Sequence, residues 1–131
     1  MTTPVLERIL YVEDDPDIQS IAKLALEELG GFAVDACMSG REALARAVEF
    51  DPQLLILDVM MPEMDGPTTL TELRKLEPIQ RVPAVFMTAK VQVQEVAHYK
   101  ALGAADVIAK PFDPMTLAEE VQEIWRRYHA G

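Results

Sequence analysis

Short apolar segments alternate along the chain with segments in which apolar residues recur every three or four positions. The short segments are Ile9–Val12, Phe32–Val34, Leu54–Leu57, Val85–Met87 and Val107–Ala109. Leu54–Leu57 is apolar at every position, which is typical of a central parallel strand covered on both faces. The alternation predicts an α/β protein in which five strands are each followed by a helix.

The periodic segments predict helices with one buried face each. Their apolar positions are Ile18, Ile21, Ala22, Ala25 and Leu29 in the first helix, Val93, Val96, Ala97 and Ala101 in the fourth, and Leu117, Val121, Ile124, Trp125 and Tyr128 in the fifth. Helix starts are indicated by Asp15-Pro16, by Asp113-Pro114 and by Ser39 with Glu42, since an N-cap residue followed by proline or by a glutamate opens many helices.

Polar residues directly follow four of the apolar segments. Glu13 and Asp14 follow the first, Asp58 the third, Thr88 the fourth and Lys110 the fifth. In an open parallel sheet the carboxyl ends of the strands share one edge, so these side chains are expected to converge. Carboxylates held close together repel one another unless a cation neutralises them, and carboxylate oxygens with positions left for water suit Mg²⁺.

Each of these residues also has a simpler interpretation. Asp15 before Pro16 is an N-cap, which leaves Glu13 and Asp14 available to a metal. Asp58 could be a turn residue, but a carboxylate at the end of a central strand is a costly choice for a turn. Thr88 and Lys110 would be ordinary residues alone, and only their shared position at the strand ends gives them a functional interpretation.

Composition narrows the class of protein. The chain has 131 residues and is half hydrophobic, enough for one domain with one core. It has neither an apolar stretch of membrane-spanning length nor a secretory signal, so a cytoplasmic protein without membrane contact is expected. The net charge of −10 argues against unspecific nucleic-acid binding. Cys37 is the single cysteine, which we interpret as a buried, inert thiol.

Four segments resemble the receiver domains of two-component response regulators. They are Ile9–Pro16, Leu55–Gly66, Met87–Ala89 and Lys110–Phe112, and the similarity runs from Arg8 to Tyr128. The resemblance implies a flavodoxin-like (βα)5 fold, with a five-stranded parallel sheet of order 2-1-3-4-5 and helices on both faces. It also implies a cis peptide bond before Pro111 and a turn at Gly66.

The same resemblance implies a role for each matching residue. Asp58 would accept a phosphoryl group from a histidine of a sensor kinase or of a histidine phosphotransfer protein. Asp14 and Asp58 would bind Mg²⁺ directly, Glu13 through water, and Met60 through its backbone carbonyl. Thr88 and Lys110 would bind the oxygens of the phosphoryl group. The protein would then catalyse only its own phosphorylation and dephosphorylation and would not be an enzyme with a separate substrate.

Some expectations concern output. Because the fifth predicted helix ends at Gly131, residues 1–131 are expected to form a single receiver domain without an output domain, acting on a downstream protein target as a monomer or a phosphorylation-dependent dimer. Val107 occupies the position where the family usually has an aromatic switch residue, so switching would be weaker or take another route. A phosphorylation-independent adaptor is therefore the main alternative, and a relay intermediate would have a similar sequence. An aspartyl-nucleophile hydrolase is disfavoured because Met60 replaces the second acid.

Overall fold

The computed structural model describes residues 2–131, and over that range the chain forms one five-stranded parallel sheet. The strands are β1 (Arg8–Val12), β2 (Ala33–Cys37), β3 (Leu54–Asp58), β4 (Ala84–Thr88) and β5 (Asp106–Ala109). Their order is β2-β1-β3-β4-β5, which confirms the predicted order. The helices are α1 (Pro16–Glu28), α2 (Gly40–Phe50), α3 (Gly66–Leu73), α4 (Val93–Ala101) and α5 (Leu117–Ala130), with a short 3-10 helix at Glu77–Ile79.

The sheet separates two apolar cores, because side chains alternate between its faces along every strand. Odd-numbered residues of β1, such as Ile9 and Tyr11, pack with α1 and α5 on one face. Leu10 and Val12 pack with α2 and α3 on the other. β3 is buried along its whole length, as its continuous apolar sequence predicts. The helices on both faces hold the carboxyl ends of the strands at one edge.

Local capping follows the sequence at α1 and α2 and differs at α5. Asp15 accepts hydrogen bonds from the backbone of Asp17 and Ile18, and Ser39 accepts one from Glu42. The prediction that Asp113-Pro114 opens the last helix is wrong, since α5 begins at Leu117. Asp113 instead accepts a hydrogen bond from Met115 N and closes the turn that precedes the helix.

The predicted buried stripe of α4 is also wrong. No residue of this helix is buried, and Val93 at its start is 86% exposed. Only Val96 and Tyr99 among its larger apolar residues are partly covered, and the Tyr99 ring contacts Phe86 edge-on at 5.5 Å between ring centroids. α4 is thus the least embedded of the five helices in residues 2–131, whereas α5 buries five residues.

At the opposite edge of the sheet, where the strands begin, the start of the chain packs against α5. Trp125 of α5 is buried, and its indole Nε1 donates a hydrogen bond to the carbonyl of Pro4 at 2.7 Å. The same ring lines a surface cavity with Gln53 and Pro83, which lie just before β3 and β4. Trp125 therefore marks the end of the sheet away from the acidic residues. No helix in residues 2–131 has the length and hydropathy needed to cross a bilayer.

Candidate functional site

The carboxyl ends of β1, β3 and β4 bring three buried polar residues to one edge of the sheet. Glu13 is 1% exposed, and Asp58 and Thr88 are each 3% exposed. Asp58 is the last residue of β3, between β1 and β4, so the ends of these two strands flank it. A carboxylate this deeply buried requires a compensating cation or hydrogen-bond donors.

Lys110 supplies that cation in the structure. Its Nζ lies 2.9 Å from Glu13 Oε1 and 3.0 Å from Asp58 Oδ1, so a single ammonium bridges two carboxylates. The lysine follows β5 directly and precedes the cis peptide bond to Pro111. Its backbone N–H also donates to Thr88 O at 2.9 Å, which fixes the end of β5 against the end of β4.

Burial controls the protonation of the pair of carboxyls. It raises the pKa of both Glu13 and Asp58, and the hydrogen bonds from Lys110 oppose that change without cancelling it. Burial alone would lower the pKa of Lys110, but its hydrogen bonds to Glu13 and Asp58 and their negative charges outweigh burial and raise it. The site therefore holds a charged lysine beside two carboxyl groups whose ionisation is disfavoured by burial. Such perturbed pKa values are typical of functional sites.

The donor set fits a divalent cation. Glu13, Asp14 and Asp58 can each place a carboxylate oxygen so that all three lie within 4.8 Å of one another. These are hard oxygen ligands, and Asp14 is only half-buried, so water could complete the coordination of Mg²⁺. Met60 is 75% exposed and its side chain takes no part in the cluster, so the predicted role of its backbone carbonyl stays a prediction.

The loop after β3 passes close to Asp58. Gly66 N donates to Val59 O at 3.0 Å, and a Cβ placed on Gly66 would lie 2.5 Å from the carbonyl oxygen of Asp58. The contacting atoms belong to the backbone and cannot move aside. Gly66 is therefore required by close approach, since only a residue without a Cβ fits there, whereas the resemblance implied a glycine that lets the loop turn.

The Thr88 hydroxyl is held toward the loop after β4. It accepts a hydrogen bond from Lys90 N at 3.1 Å, while its backbone carbonyl accepts one from Lys110 N. Thr88 thus lies beside Lys110 at the same edge as Asp58, as the sequence predicts. Its own O–H is a separate donor that could bind a phosphoryl oxygen while this bond is kept, and that role stays a prediction.

Two residues near the site were missed by the sequence interpretation. The side-chain amide of Gln19 donates to Glu13 O at 3.2 Å and to Cys37 O at 2.9 Å, joining the ends of β1 and β2. A glutamine on a helix has the pattern of a surface residue, so nothing in the sequence signals this contact. The apolar pattern of Ile9–Val12 predicts an ordinary strand residue at Tyr11, and it gives no sign that the Tyr11 hydroxyl is buried without a partner.

An apolar cavity of about 170 Å³ adjoins the site between α1 and the loop that leads to α5. It is lined by Ile18, Ile21, Lys110, Pro111, Phe112 and Pro114. Lys110 thus binds the buried carboxylates through its Nζ and is also one of the residues that line this cavity. The cavity offers a hydrophobic contact surface immediately beside the acidic edge.

Comparisons with known proteins agree with this geometry. Residues 9–122 match the family described as "Response regulator receiver domain". The chain is similar to the "DNA-binding dual master transcriptional regulator RpaA" of Synechocystis (34% identity, covering 93% of this chain and 50% of that protein). It is also similar to the "Transcriptional regulatory protein CseB" of Streptomyces coelicolor (35% identity, 94% and 51%). The chain spans about half the length of these curated relatives.

Solved structures show the same architecture. The chemotaxis response regulator CheY4 of Vibrio cholerae superposes with a TM-score of 0.83 at 29% identity, covering 92% of this chain and 99% of that one. A crystal structure described as a putative response regulator from Chloroflexus aurantiacus has a TM-score of 0.81 at 31% identity and covers 94% and 100%. Both alignments include nearly all of this chain.

Proposed function

This chain belongs to the response regulator receiver domains, and on that premise we propose that it accepts a phosphoryl group on Asp58 from a histidine of a sensor kinase or of a histidine phosphotransfer protein. The observation that carries the proposal is the buried Asp58 carboxylate, held by Lys110 at 3.0 Å within an acidic cluster. An ion pair formed only for stability gains little from burial, because desolvation offsets the attraction.

The proposed transfer conserves atoms and electrons. Lys110 occupies Asp58 Oδ1, so we assign the attack to Oδ2. An oxygen–phosphorus bond forms while the phosphorus–nitrogen bond of the phosphohistidine breaks, and the electron pair of that bond stays on the imidazole. Positioning and charge stabilisation are sufficient for such a step, because the transition state is loose and its charge is spread over the equatorial oxygens.

We assign the Mg²⁺ site to Asp14 and Asp58, with Glu13 acting through water and Met60 through its carbonyl. Bound Mg²⁺ would neutralise charge on the phosphoryl oxygens and allow the carboxylates to approach them. Lys110 would move its ammonium from the carboxylates toward a second phosphoryl oxygen, and the Thr88 hydroxyl would donate to a third. The chemistry of the three carboxylates within 4.8 Å supports this assignment.

The apolar cavity beside Lys110 is the proposed docking surface for the phosphodonor protein. Ile18 and Ile21 of α1 and Phe112 line it, and Ile21 is exposed. A donor that covered this surface would bring its histidine to the edge of the sheet and exclude water from Asp58.

We assign output to the surface formed by α4, β5 and α5. Asp106 at the start of β5 binds Arg127 of α5 at 2.8 Å and lies 3.9 Å from Lys100 of α4, so one carboxylate links the three elements. Val107 is half-buried beside Phe86 and cannot swing an aromatic ring, which favours the phosphorylation-independent adaptor as the second candidate. Unchanged partner binding after substitution of Lys100 and Asp106 would contradict the output assignment.

The organisation of the whole protein stays a prediction. The curated relatives are named as transcriptional regulators and are about twice as long, so the expected absence of nucleic-acid binding stays a prediction. Whether phosphorylation triggers a partner, a dimer or a further phosphoryl transfer belongs to the same prediction.

The deciding experiment is mass analysis of the intact protein and its peptides after incubation with a small acyl phosphate and Mg²⁺. We expect one phosphoryl group on Asp58, lost when Mg²⁺ is omitted and absent from Asp58→Asn. Asp51→Asn is the matched control, because Asp51 is exposed, lies at the opposite edge and has a positive φ that asparagine tolerates. Persistent failure with acyl phosphates, beryllofluoride and candidate kinases would favour the adaptor.

A further inference from the structure

The Tyr11 hydroxyl is buried without a partner. Tyr11 is fully buried, and within residues 2–131 its hydroxyl is the one buried side-chain nitrogen or oxygen that makes no hydrogen bond. Burial of an unpaired hydroxyl destabilises a protein, and phenylalanine would fill almost the same space without that cost. The hydroxyl of Tyr11 is therefore expected to form a hydrogen bond in another state of the site.

The hydroxyl lies next to the carboxylates. Tyr11 and Glu13 are two residues apart in the same extended segment and so project from the same face, and Tyr11 pairs with Ile56, two residues before Asp58. Burial, and then the negative charges of Glu13 and Asp58, raise the pKa of Tyr11. A close contact with the Glu13 carboxylate also raises it, and this contact falls short of a hydrogen bond in distance or angle, so the hydroxyl is near Glu13 but not bonded to it.

The oxygens of Glu13 already have partners. Oε1 accepts from Lys110 Nζ at 2.9 Å, and Oε2 accepts from Asp15 N at 3.2 Å. If Lys110 moves to a phosphoryl oxygen, Oε1 loses a charged partner while Glu13 remains buried. A buried carboxylate that loses its ammonium partner is unfavourable unless other donors replace it, and the water assigned between Glu13 and Mg²⁺ leaves a position for a second donor.

We propose that Tyr11 is a positioning residue for Glu13. The Tyr11 hydroxyl donates a hydrogen bond to the Glu13 carboxylate when Lys110 leaves that carboxylate for the phosphoryl group on Asp58. The proposal rests on the proposed function, because it requires Lys110 to change partners. The tyrosine would keep Glu13 oriented toward the metal site in the loaded protein, meaning the protein that carries Mg²⁺ and the phosphoryl group or its mimic. In the unloaded protein its hydroxyl contributes no hydrogen bond.

The test compares Tyr11→Phe with wild type in the binding of beryllofluoride and Mg²⁺, a stable mimic of the phosphoryl group. Loss of a hydrogen bond to a charged group should weaken binding about tenfold. The unloaded variant should have a urea midpoint equal to or higher than that of wild type, since an unpaired buried hydroxyl is removed. Tyr128→Phe is the control, because Tyr128 is exposed on α5, and it should change neither quantity.

A double-mutant cycle shows whether the effect passes through Glu13. Glu13→Asp withdraws the carboxylate by one methylene, so Tyr11→Phe should change binding by less than about twofold in that background. Ultraviolet difference spectra should show a tyrosine signal on loading in wild type that Tyr11→Phe lacks and Tyr128→Phe retains.

The outcomes separate the two proposals. If wild type binds beryllofluoride and Tyr11→Phe binds it equally well, the positioning role is overturned and the proposed function stands. The same conclusion follows if Tyr11→Phe weakens binding as much in the Glu13→Asp background as in wild type. Opposite changes, with weaker binding but undiminished stability, support the positioning role. If wild type binds no beryllofluoride with Mg²⁺, both proposals fail.

Discussion

Two regions of the sheet differ in how deeply their residues are buried: the acidic edge, at the carboxyl ends of the strands, and the outer side formed by β5 and α4. The acidic edge is carried by β1 and β3, whose residues from Ile9 to Val12 and from Leu54 to Asp58 are buried. At the other edge, β5 has only Ile108 buried, and α4 buries no residue. Glu13 and Asp58 are thus fixed at the ends of deeply buried strands, whereas Lys110 follows the less buried β5, and α4 is the least buried helix of the surface assigned to output.

This difference assigns two mechanical properties to one small domain. Elements with few buried apolar contacts open locally at low cost, whereas buried central strands open only with global unfolding. A change of charge at Asp58 would therefore leave the central strands in place and change the populations of the conformations that α4 and β5 adopt. The following predictions test the contrast, beginning with the largest effect.

The first prediction concerns packing. Leu57→Ala, in the fully buried end of β3, should lower the free energy of unfolding by about 3 kcal/mol, because it leaves a cavity between the sheet and α2 and α3. Val93→Ala in α4 is the matched truncation and should change it by less than about 0.5 kcal/mol. Urea unfolding of both variants measures the contrast, and equal losses would refute it.

The second prediction concerns backbone approach. Gly66→Ala should destabilise the protein by about 2 kcal/mol and abolish phosphorylation, because the new Cβ would displace the Asp58 backbone. Gly103→Ala, which follows α4, should cost about 1 kcal/mol through its φ of +108° and leave phosphorylation intact. Denaturation and phosphate incorporation are measured on both proteins.

The opposite result for Gly66 would be informative in itself. A folded Gly66→Ala that took up phosphate at the wild-type rate would show that the loop can move without disturbing Asp58. The acidic edge would then be less rigid than its burial suggests.

The third prediction concerns the cost of charge. Asp58→Asn should stabilise the unloaded protein by about 1 kcal/mol, because it removes one of the carboxylates that burial disfavours while leaving Glu13 to pair with Lys110. Thermal unfolding measures the gain. A destabilised variant would mean that the Lys110 bridge contributes more than desolvation costs.

The pH dependence of stability follows from the same shift. Because the folded pKa values of Glu13 and Asp58 are raised, the folded protein holds more protons than the unfolded chain above about pH 4, the ordinary carboxyl range. Their contribution to stability is therefore present below that range and is lost as the pH rises through the raised values. Asp58→Asn should flatten this loss, measured as urea midpoints across the acid range.

Much of the fold could be predicted from sequence because strand burial and helix caps are local signals. The continuous apolar run of Leu54–Leu57 indicated the central strand, and Asp15 and Ser39 indicated two helix starts that the structure confirms. Asp113 misled because a side chain that caps a turn has the same sequence pattern as one that caps a helix. Val93 and Ala97 misled because helical periodicity shows that a face is apolar and does not show that anything covers it.

The site could be predicted in its membership and only partly in its contacts. Glu13, Asp58 and Lys110 lie at or directly after the carboxyl ends of parallel strands, so their convergence followed from the topology. The bridging of two carboxylates by Lys110 and the burial of the unpaired Tyr11 hydroxyl depend on side-chain packing between distant segments. Such packing leaves no periodic signal in the chain.

Trp125 has a practical consequence for all of these measurements. It is the single tryptophan, and its hydrogen bond to Pro4 holds it at the end of the domain away from Asp58. Its fluorescence should respond when α5 separates from the start of the chain and stay constant when the acidic edge is loaded. Trp125 fluorescence thus reports folding and does not respond to phosphorylation, so folding and phosphorylation can be followed independently in one sample.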